Sequence, residues 1–426
     1  MTPDRLDVSA VRDRLTAGGE VALIDVREKR PFGNGHILLD VSIPLRLIAY
    51  DLQRLVPGRA ANLIFCVDGS GLAEQAAEAA FTLGYSRIGI LQGGVNSWRE
   101  TGGLLFEGEN VLGTALAEIV DAANIIPKLP AHELVGLRDS GDDPVVLDSR
   151  PWESYQRAHI PGAISCPGGD LVYRIADLAP DPATTVVVNC AGRSRSIYGA
   201  QSLINAGTRN PVYSLDRGTV GWWRAGLELA VGEGPRAEQV TNPVSEASFS
   251  AARGLAEACG VREIDQRTLA GWESQGLDHS LHLLDVRLPA EFEAGHVPGS
   301  QSAPGGQLVE CSDNWIGLRG GRVVLLDDDG VRARMTGSWL RQLGYSEVAV
   351  MIPGEQSQFS ETGHPADPRP AAPTDDPDVQ YYPVYETLEE ELLASEHHVV
   401  EQVKLPDQIR RDGLVNFQPY QPAGGF

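Results

Sequence analysis

The stretch VVVNCAGRSRSIYGAQSLINAG, residues 186–207, joins an apolar run to a helical pattern through a loop that begins with a cysteine. The run VVVN is typical of a buried strand, and the pattern that ends at Gly207 predicts a helix. The loop between them, CAGRSRS, contains small residues and two arginines. A strand, a tight loop and a helix in this order predict an α/β fold and place one cysteine at the junction of strand and helix.

Three stretches of the chain share one pattern: an apolar run that ends in Asp-x-Arg, a short polar segment, a histidine and a second extended segment. They are ALIDVREKRPFGNGHILLDVSIP from residue 22, VVLDSRPWESYQRAHIPGAISCP from residue 145 and HLLDVRLPAEFEAGHVPGSQSAP from residue 282. In each copy the histidine follows the aspartate by 11 residues and precedes a helix-ending glycine by 48 residues. Such a repeat predicts three tandem α/β domains, each with a parallel sheet covered by helices.

The predicted domains span residues 1–108, 125–234 and 255–365, and residues 366–426 form a Pro/Asp-rich linker and a tail. Within the tail, YETLEEELLASEHHVVEQV predicts an amphipathic helix. The sequence leaves open whether this helix packs on a neighbouring domain or serves a partner. His397 and His398, on its acidic surface, are expected to be surface residues.

Comparison of the copies isolates the cysteine. Cys190 lies 17 residues before Gly207, and the same position holds Val67 in the first copy and Asp327 in the third. Only the second copy therefore combines a nucleophile with two cations. Cys66 is one residue out of register, which turns its thiol away from the centre of the loop.

The CAGRSRS loop suits a reactive thiolate. Successive backbone N–H groups before a helix form an anion-binding nest, and the helix dipole adds partial positive charge. Arg193 and Arg195 add fork-shaped donors for an oxyanion, and Gly192 relaxes the backbone. We expect these features to lower the pKa of Cys190. The alternative is a small buried core cysteine, which would leave two arginines unused.

Composition narrows the classes of function. The net charge of -23 argues against nucleic acid and anionic membrane as partners, so an anionic substrate needs local positive charge. Five scattered cysteines do not indicate a disulfide framework, and neither a leader peptide nor a membrane-spanning run is evident. A cytoplasmic protein is expected. The use of arginine over lysine, which occurs only three times, is typical of a high-GC bacterial genome.

The motifs LDSRPWESYQRAHIPGA, VVVNCAGRSRS and GTVGWWRAG resemble those of the rhodanese (thiosulfate sulfurtransferase) family, in an arrangement similar to multidomain members. The resemblance implies α/β/α domains with central parallel sheets, and a persulfide on Cys190 as the catalytic intermediate. It implies transfer of sulfur from a small anionic donor such as thiosulfate to cyanide in an assay and to a thiol or protein in the cell. No metal or organic cofactor is implied, and a homodimer is left open. The predicted substrate-binding residues are Ala191, Gly192, Arg193, Ser194, Arg195 and Ser196.

Alternatives remain at this stage. Cysteine-based phosphatases and arsenate reductases place five residues between cysteine and arginine, whereas here four separate Cys190 from Arg195. A non-catalytic sulfur-sensing or scaffold protein is the other alternative, although the intact loop speaks against it. Cys166, in AISCP, could resolve a persulfide, but a core position is favoured.

The recurring Asp, Arg and His residues are assigned structural roles because the copies without a nucleophile retain them. Each arginine is expected to pair with Glu153 or its equivalent. In the third copy Arg332, in register with Arg195, is expected to balance the neighbouring acids rather than bind a donor.

Overall fold

The structure is a computed structural model that describes residues 2–124, 126–237, 244–354, 358–365, 367–370, 376, 378–381 and 385–421. Within these residues the chain forms three five-stranded sheets, and all strand pairs in them are parallel. No helix in the described part of the chain is long and apolar enough to cross a membrane.

The first sheet has the strand order β1-β5-β4-β2-β3. Its strands are β1 (Asp4–Leu6), β2 (Val21–Asp25), β3 (Asp40–Ser42), β4 (Asn62–Cys66) and β5 (Arg87–Leu91). The helices around it are α1 (Val8–Thr16), α2 (Lys29–Gly33), α3 (Ile48–Leu55), α4 (Leu72–Thr82) and α5 (Gly94–Glu100). A longer helix, α6 (Val111–Asn124), connects this domain to the second one.

The second sheet repeats the order as β6-β10-β9-β7-β8. Its strands are β6 (Lys128–Leu129), β7 (Val145–Asp148), β8 (Ile164–Ser165), β9 (Val186–Asn189) and β10 (Val212–Leu215). Its helices are α7 (Ala131–Ser140), α8 (Trp152–Arg157), α9 (Leu171–Leu178), α10 (Ser194–Asn205) and α11 (Gly218–Arg224).

The third sheet has the order β11-β15-β14-β12-β13. Its strands are β11 (Arg262–Glu263), β12 (Leu281–Asp285), β13 (Gln301–Ser302), β14 (Arg322–Leu326) and β15 (Glu347–Met351). Its helices are α12 (Glu246–Ala258), which precedes the sheet, α13 (Gln266–Glu273), α14 (Pro289–Ala294), α15 (Gly305–Glu310) and α16 (Val331–Gln342). The tail holds the predicted helix as α17 (Leu388–Gln402), and a second helix, α18 (Leu405–Asp412), that the sequence did not predict.

Helices cover both faces of the second sheet. Val186 and Val188 of β9 pack in one apolar cluster with Ile197 of α10, whereas Val187 packs in another with Leu134 of α7 and Trp222 of α11. Alternate residues of a strand point to opposite faces, so this split places helices on each side. The predicted α/β/α architecture with a central parallel sheet is confirmed.

Strand register confirms the alignment of the copies. Asp25 pairs with Cys66, Asp148 with Asn189 and Asp285 with Leu326. The residues that follow these partners are Val67, Cys190 and Asp327, the three positions that the sequence placed in register. Cys66 is therefore the last residue of its strand, equivalent to Asn189 and not to Cys190.

The recurring charged residues form one buried unit in each domain. Arg150 donates to Asp148 at 2.7 Å and to the carbonyl of Ala158 at 2.7 Å, and the first and third domains contain the same pair. The expected pairing of these arginines with Glu153 or its equivalents is wrong, because each guanidinium pairs instead with the aspartate two residues earlier in the chain. His159 stacks on Tyr155, with ring centroids 3.9 Å apart, which agrees with a structural role.

The second and third domains meet through equivalent surfaces. A Cβ built on Gly169 would lie 3.4 Å from Gly305 Cα, and one built on Gly306 would lie 3.2 Å from Gly168 Cα. The two contacts are reciprocal, because each joins a residue to the neighbour of its counterpart in the other domain, as in a two-fold interface. Arg195 and Arg332, which occupy equivalent positions, both cross this interface. Arg195 pairs with Glu310 of the third domain, and Arg332 pairs with Asp170 of the second.

Candidate active site

Strand β9 and helix α11 fix the position of Cys190. All four residues of β9 are buried, and the cysteine follows directly at the carboxyl end of the strand. Thr219 donates to the carbonyl oxygen of Cys190 from its backbone N–H at 2.9 Å and from its hydroxyl at 2.8 Å. Gly218 has φ of 53°, and a Cβ there would lie 2.2 Å from the same oxygen, so only glycine permits this approach.

The Cys190 thiol is 3% exposed and lies close to Ser196 near the N-terminus of α10. The thiol donates to Ser196 Oγ at 3.4 Å, and that hydroxyl also accepts from Ser214 at 2.9 Å. These contacts orient the sulfur towards the first turn of the helix, where backbone N–H groups lack intrahelical partners.

The expectation of a lowered pKa for Cys190 is wrong for the unliganded chain. Burial raises the pKa of the thiol, and the negative charge of Glu310 also raises it. Hydrogen bonds from the Ser196 side chain and backbone, and the charge of Arg195, lower this pKa without overcoming burial. The structure buries the cysteine more deeply than the loop sequence suggested.

Both loop arginines already have carboxylate partners. Arg193 forms a bidentate pair with Glu118 at 2.7 and 2.8 Å and contacts Asp121 at 2.9 Å, and both acids belong to α6. Arg195 pairs with Glu310, the last residue of α15 in the third domain. The two cations predicted to attract the donor are thus largely neutralised by residues from outside the second domain.

Register comparison could not find these three acids, because they lie on elements outside the second copy. A signal existed for α6, where Glu118 and Asp121 interrupt an otherwise apolar helix. Nothing in the sequence pointed to Glu310.

Two donors beside the cysteine have no protein acceptor. Ser194 Oγ and Arg195 Nε are buried and lack a hydrogen-bond partner among the residues that the structure describes. Buried polar atoms are seldom left unpaired, and both residues line the cavity over Cys190. Of the other predicted binding residues, Ala191, Gly192 and Arg193 line the same cavity, whereas Ser196 contacts the sulfur from within the fold.

The cavity over Cys190 has a volume of about 300 Å³ and is bounded by parts of the chain far apart in sequence. Helix α6 and the segment before it contribute one side, and Glu310 contributes another. Helix α17 of the tail contributes a further side. His398 faces this cavity, so its expected position on the open surface is wrong.

The other cysteines and the third-domain loop lack these features. Burial and nearby acids raise the pKa of Cys66 well above its usual value, and Cys166 is affected in the same way. Their pKa values are raised further than that of Cys190, which the hydrogen bonds of Ser196 lower, so these two thiols ionise less readily. Arg332 is 1% exposed and contacts Asp327, Asp328, Glu291 and Asp170, which agrees with charge balance.

Two acidic groups bring ligand-type atoms within 4.8 Å of one another in the described part of the chain: Asp25 with Asp40 and Cys66, and Asp327 with Asp328 and Asp329. Arg27 and His36 contact carboxylates of the first group, and Arg332 contacts Asp327 and Asp328 of the second. Protein side chains therefore already occupy carboxylates in both groups.

A cysteine loop at the carboxyl end of a five-stranded parallel sheet, with helices on both faces, defines the class of fold. The family model of the Rhodanese-like domain matches residues 7–101, 130–225 and 270–357. The chain therefore belongs to this family of sulfurtransferases. The crystal structure of thiosulfate sulfurtransferase from Pseudomonas aeruginosa superposes with a TM-score of 0.89 and 33% identity, over 98% of this chain and 100% of that chain.

A second similarity is confined to one part of the sequence. HTH-type transcriptional regulator Rv0324 of Mycobacterium tuberculosis is 36% identical over 100 residues, which are 24% of this chain and 43% of the regulator. The chain thus spans less than half the length of that relative.

Proposed function

We propose that the second domain transfers sulfane sulfur from thiosulfate to a thiophilic acceptor through a persulfide on Cys190. The observation that carries the proposal is the pair of unpartnered donors, Ser194 Oγ and Arg195 Nε, in the loop around a cysteine at the floor of a cavity. The similarity to a thiosulfate sulfurtransferase over nearly the whole chain favours the same donor.

The reaction has two displacement steps. The Cys190 thiolate attacks the outer sulfur of thiosulfate, the bond between the two sulfur atoms breaks, and sulfite leaves with the electron pair. An acceptor then attacks the outer sulfur of the persulfide and releases the Cys190 thiolate. Cyanide yields thiocyanate in an assay, and a thiol or protein takes the sulfur in the cell. Covalent exchange of this kind gives ping-pong kinetics.

The chain supplies hydrogen-bond donors more than net charge. Glu118, Asp121 and Glu310 offset Arg193 and Arg195, so long-range attraction of a dianion is weak. Ser194 Oγ and Arg195 Nε can instead bind sulfonate oxygens at short range. Hydrogen bonds of the Ser196 side chain and backbone lower the pKa of Cys190, so they favour the thiolate that attacks the donor.

The test is steady-state formation of thiocyanate from thiosulfate and cyanide by the wild type, Cys190→Ala and Cys66→Ala. The proposal expects Cys190→Ala to lose turnover and Cys66→Ala to retain it, since the Cys66 thiol is buried beside Asp40 at 3.9 Å. Equal turnover by wild type and Cys190→Ala would refute the role of Cys190. A wild type inactive with every persulfide donor would favour the scaffold alternative.

A further inference from the structure

Helix α17 belongs to none of the three sheet domains, yet it forms one wall of the Cys190 cavity. The tail residues that line the cavity include Tyr385, Glu391, Ser395, His398, Val399 and Gln402. The opposite wall is the loop that holds Cys190. A reactant that reaches the sulfur through this cavity must therefore pass between the loop and the helix.

The helix sits directly on the catalytic loop. A Cβ built on Gly192 would lie 2.5 Å from Val399 Cγ2, so glycine is required for this close packing. The buried Val399 fixes the distance between the wall and the loop.

Two ion pairs join α17 to the second domain. Glu391 accepts from Arg157 at 2.5 Å, and Glu396 pairs with Arg224. Both arginines belong to the second domain, at the ends of α8 and α11. The wall is thereby tied to the same domain that carries the cysteine.

Residues with a buried, unpartnered polar atom line the cavity on both sides. Ser194 Oγ and Arg195 Nε are donors on the loop side, and neither has a partner in the described ranges. Gln402 is 7% exposed, lines the cavity from α17, and its Oε1 likewise has no donor among those residues. A ligand that satisfies both walls carries an acceptor at one end and an N–H donor at the other.

We propose that α17 restricts the sulfur acceptor to a low-molecular-weight thiol with an N–H donor for Gln402, and that it excludes protein thiols. The inference rests on the proposed function and narrows its acceptor. A volume of about 300 Å³ is at the lower end of the range for small-molecule sites. The acceptor thiolate attacks the outer persulfide sulfur, a new sulfur–sulfur bond forms, and Cys190 leaves as the thiolate.

The first experiment measures access without any sulfur donor. Cys190 of the full chain is labelled with N-ethylmaleimide or with a polyethylene-glycol maleimide, which carry the same reactive group, and the Cys190 peptide is quantified by mass spectrometry. We expect N-ethylmaleimide to react and the large maleimide to react far more slowly. The double variant Glu391→Gln/Glu396→Gln should speed the maleimide about tenfold, since two exposed ion pairs are lost.

Glu401→Gln is the matched control, because Glu401 pairs with Lys404 at 2.7 Å within the tail itself. It should label like the wild type. Equal labelling rates for the two reagents in the wild type would contradict the proposal that α17 restricts access to Cys190. Equal maleimide labelling of the double variant and this control would also contradict it. Neither result depends on thiosulfate being the donor.

The second experiment tests acceptor choice by discharge of the Cys190 persulfide, followed by intact mass. Wild type should pass sulfur to cysteine and not to reduced thioredoxin. Gln402→Met should slow discharge by cysteine about fivefold and leave ethanethiol, which has no N–H donor, unchanged. Discharge by thioredoxin as fast as by cysteine would overturn the inference. Absence of any sulfur on Cys190 would instead refute the proposed function.

Discussion

Replacement of Glu310 by glutamine tests whether Arg195 binds the donor. The Glu310 carboxylate, from the third domain, occupies the guanidinium that the donor's sulfonate would use. Glutamine keeps the size of the side chain and removes the charge. The variant should therefore bind thiosulfate more tightly, although the altered residue lies outside the catalytic domain.

The magnitude follows from the strength of the freed interaction. A hydrogen bond to a charged group contributes about 1.5–3 kcal/mol. Arg195 is 26% exposed and Glu310 is 13% exposed, so solvent screening places the gain near the lower limit. About 1.4 kcal/mol corresponds to a tenfold decrease in KM for thiosulfate. Because Glu310 raises the pKa of Cys190, its loss should also move the acid limb of the pH–rate profile to lower pH.

The assay is thiocyanate formation over a range of thiosulfate concentrations and pH values. Glu263→Gln is the control, because Glu263 pairs with Arg334 at 2.7 Å and lies outside the Cys190 cavity. It should leave both KM and the pH profile unchanged. A folded Glu310→Gln variant with an unchanged or higher KM would refute a donor-binding role for Arg195.

Three further predictions concern the loop and acid stability. Gly218→Ala should lower the free energy of unfolding in urea by about 2–4 kcal/mol, because Gly218 has φ of 53° and a Cβ there clashes with the carbonyl oxygen of Cys190. Gly226→Ala, with φ of 77° and open space around the new Cβ, should lower it by only about 1 kcal/mol. Equal decreases for the two variants would contradict the clash at Gly218. Ser196→Ala should raise the pKa of Cys190, move the acid limb to higher pH and lower kcat/KM at neutral pH about tenfold; an unmoved limb would contradict this. Burial lowers the pKa of His282 to about 3, whereas the histidine of the unfolded chain has a pKa of about 6.5. The free energy of unfolding should therefore fall as the pH drops below about 6.5, by about 2 kcal/mol at pH 5. His282→Leu should remove that loss, and the same dependence of stability on pH in wild type and variant would contradict it.

The fold and the position of the nucleophile could be predicted because both are encoded locally. Apolar runs, helix-ending glycines and the Asp-to-His spacing repeat three times, and strand register agrees with them at Cys190, Val67 and Asp327. The repeat also served as an internal comparison, since two copies lack the thiol. This part of the site needed no knowledge of how the domains pack.

The surroundings of the nucleophile could not be predicted because they come from elsewhere in the chain. Glu118, Asp121 and Glu310 reach the loop only through domain packing. The sequence predicted an amphipathic helix at α17 but left open what covers its apolar face, where Leu392 and Val399 are buried. The direction in which the pKa of Cys190 shifts depends on burial of the thiol. Domain packing produces that burial, and the sequence of the loop alone does not reveal it.

The most direct test of the central claim is to locate sulfur on the protein after incubation with thiosulfate. Digestion and mass spectrometry of the full chain distinguish the five free cysteines. The proposed persulfide predicts one added sulfur atom on the peptide that contains Cys190, removed again by cyanide with release of thiocyanate. Sulfur on Cys66 or another cysteine, with the Cys190 peptide unmodified, would contradict it.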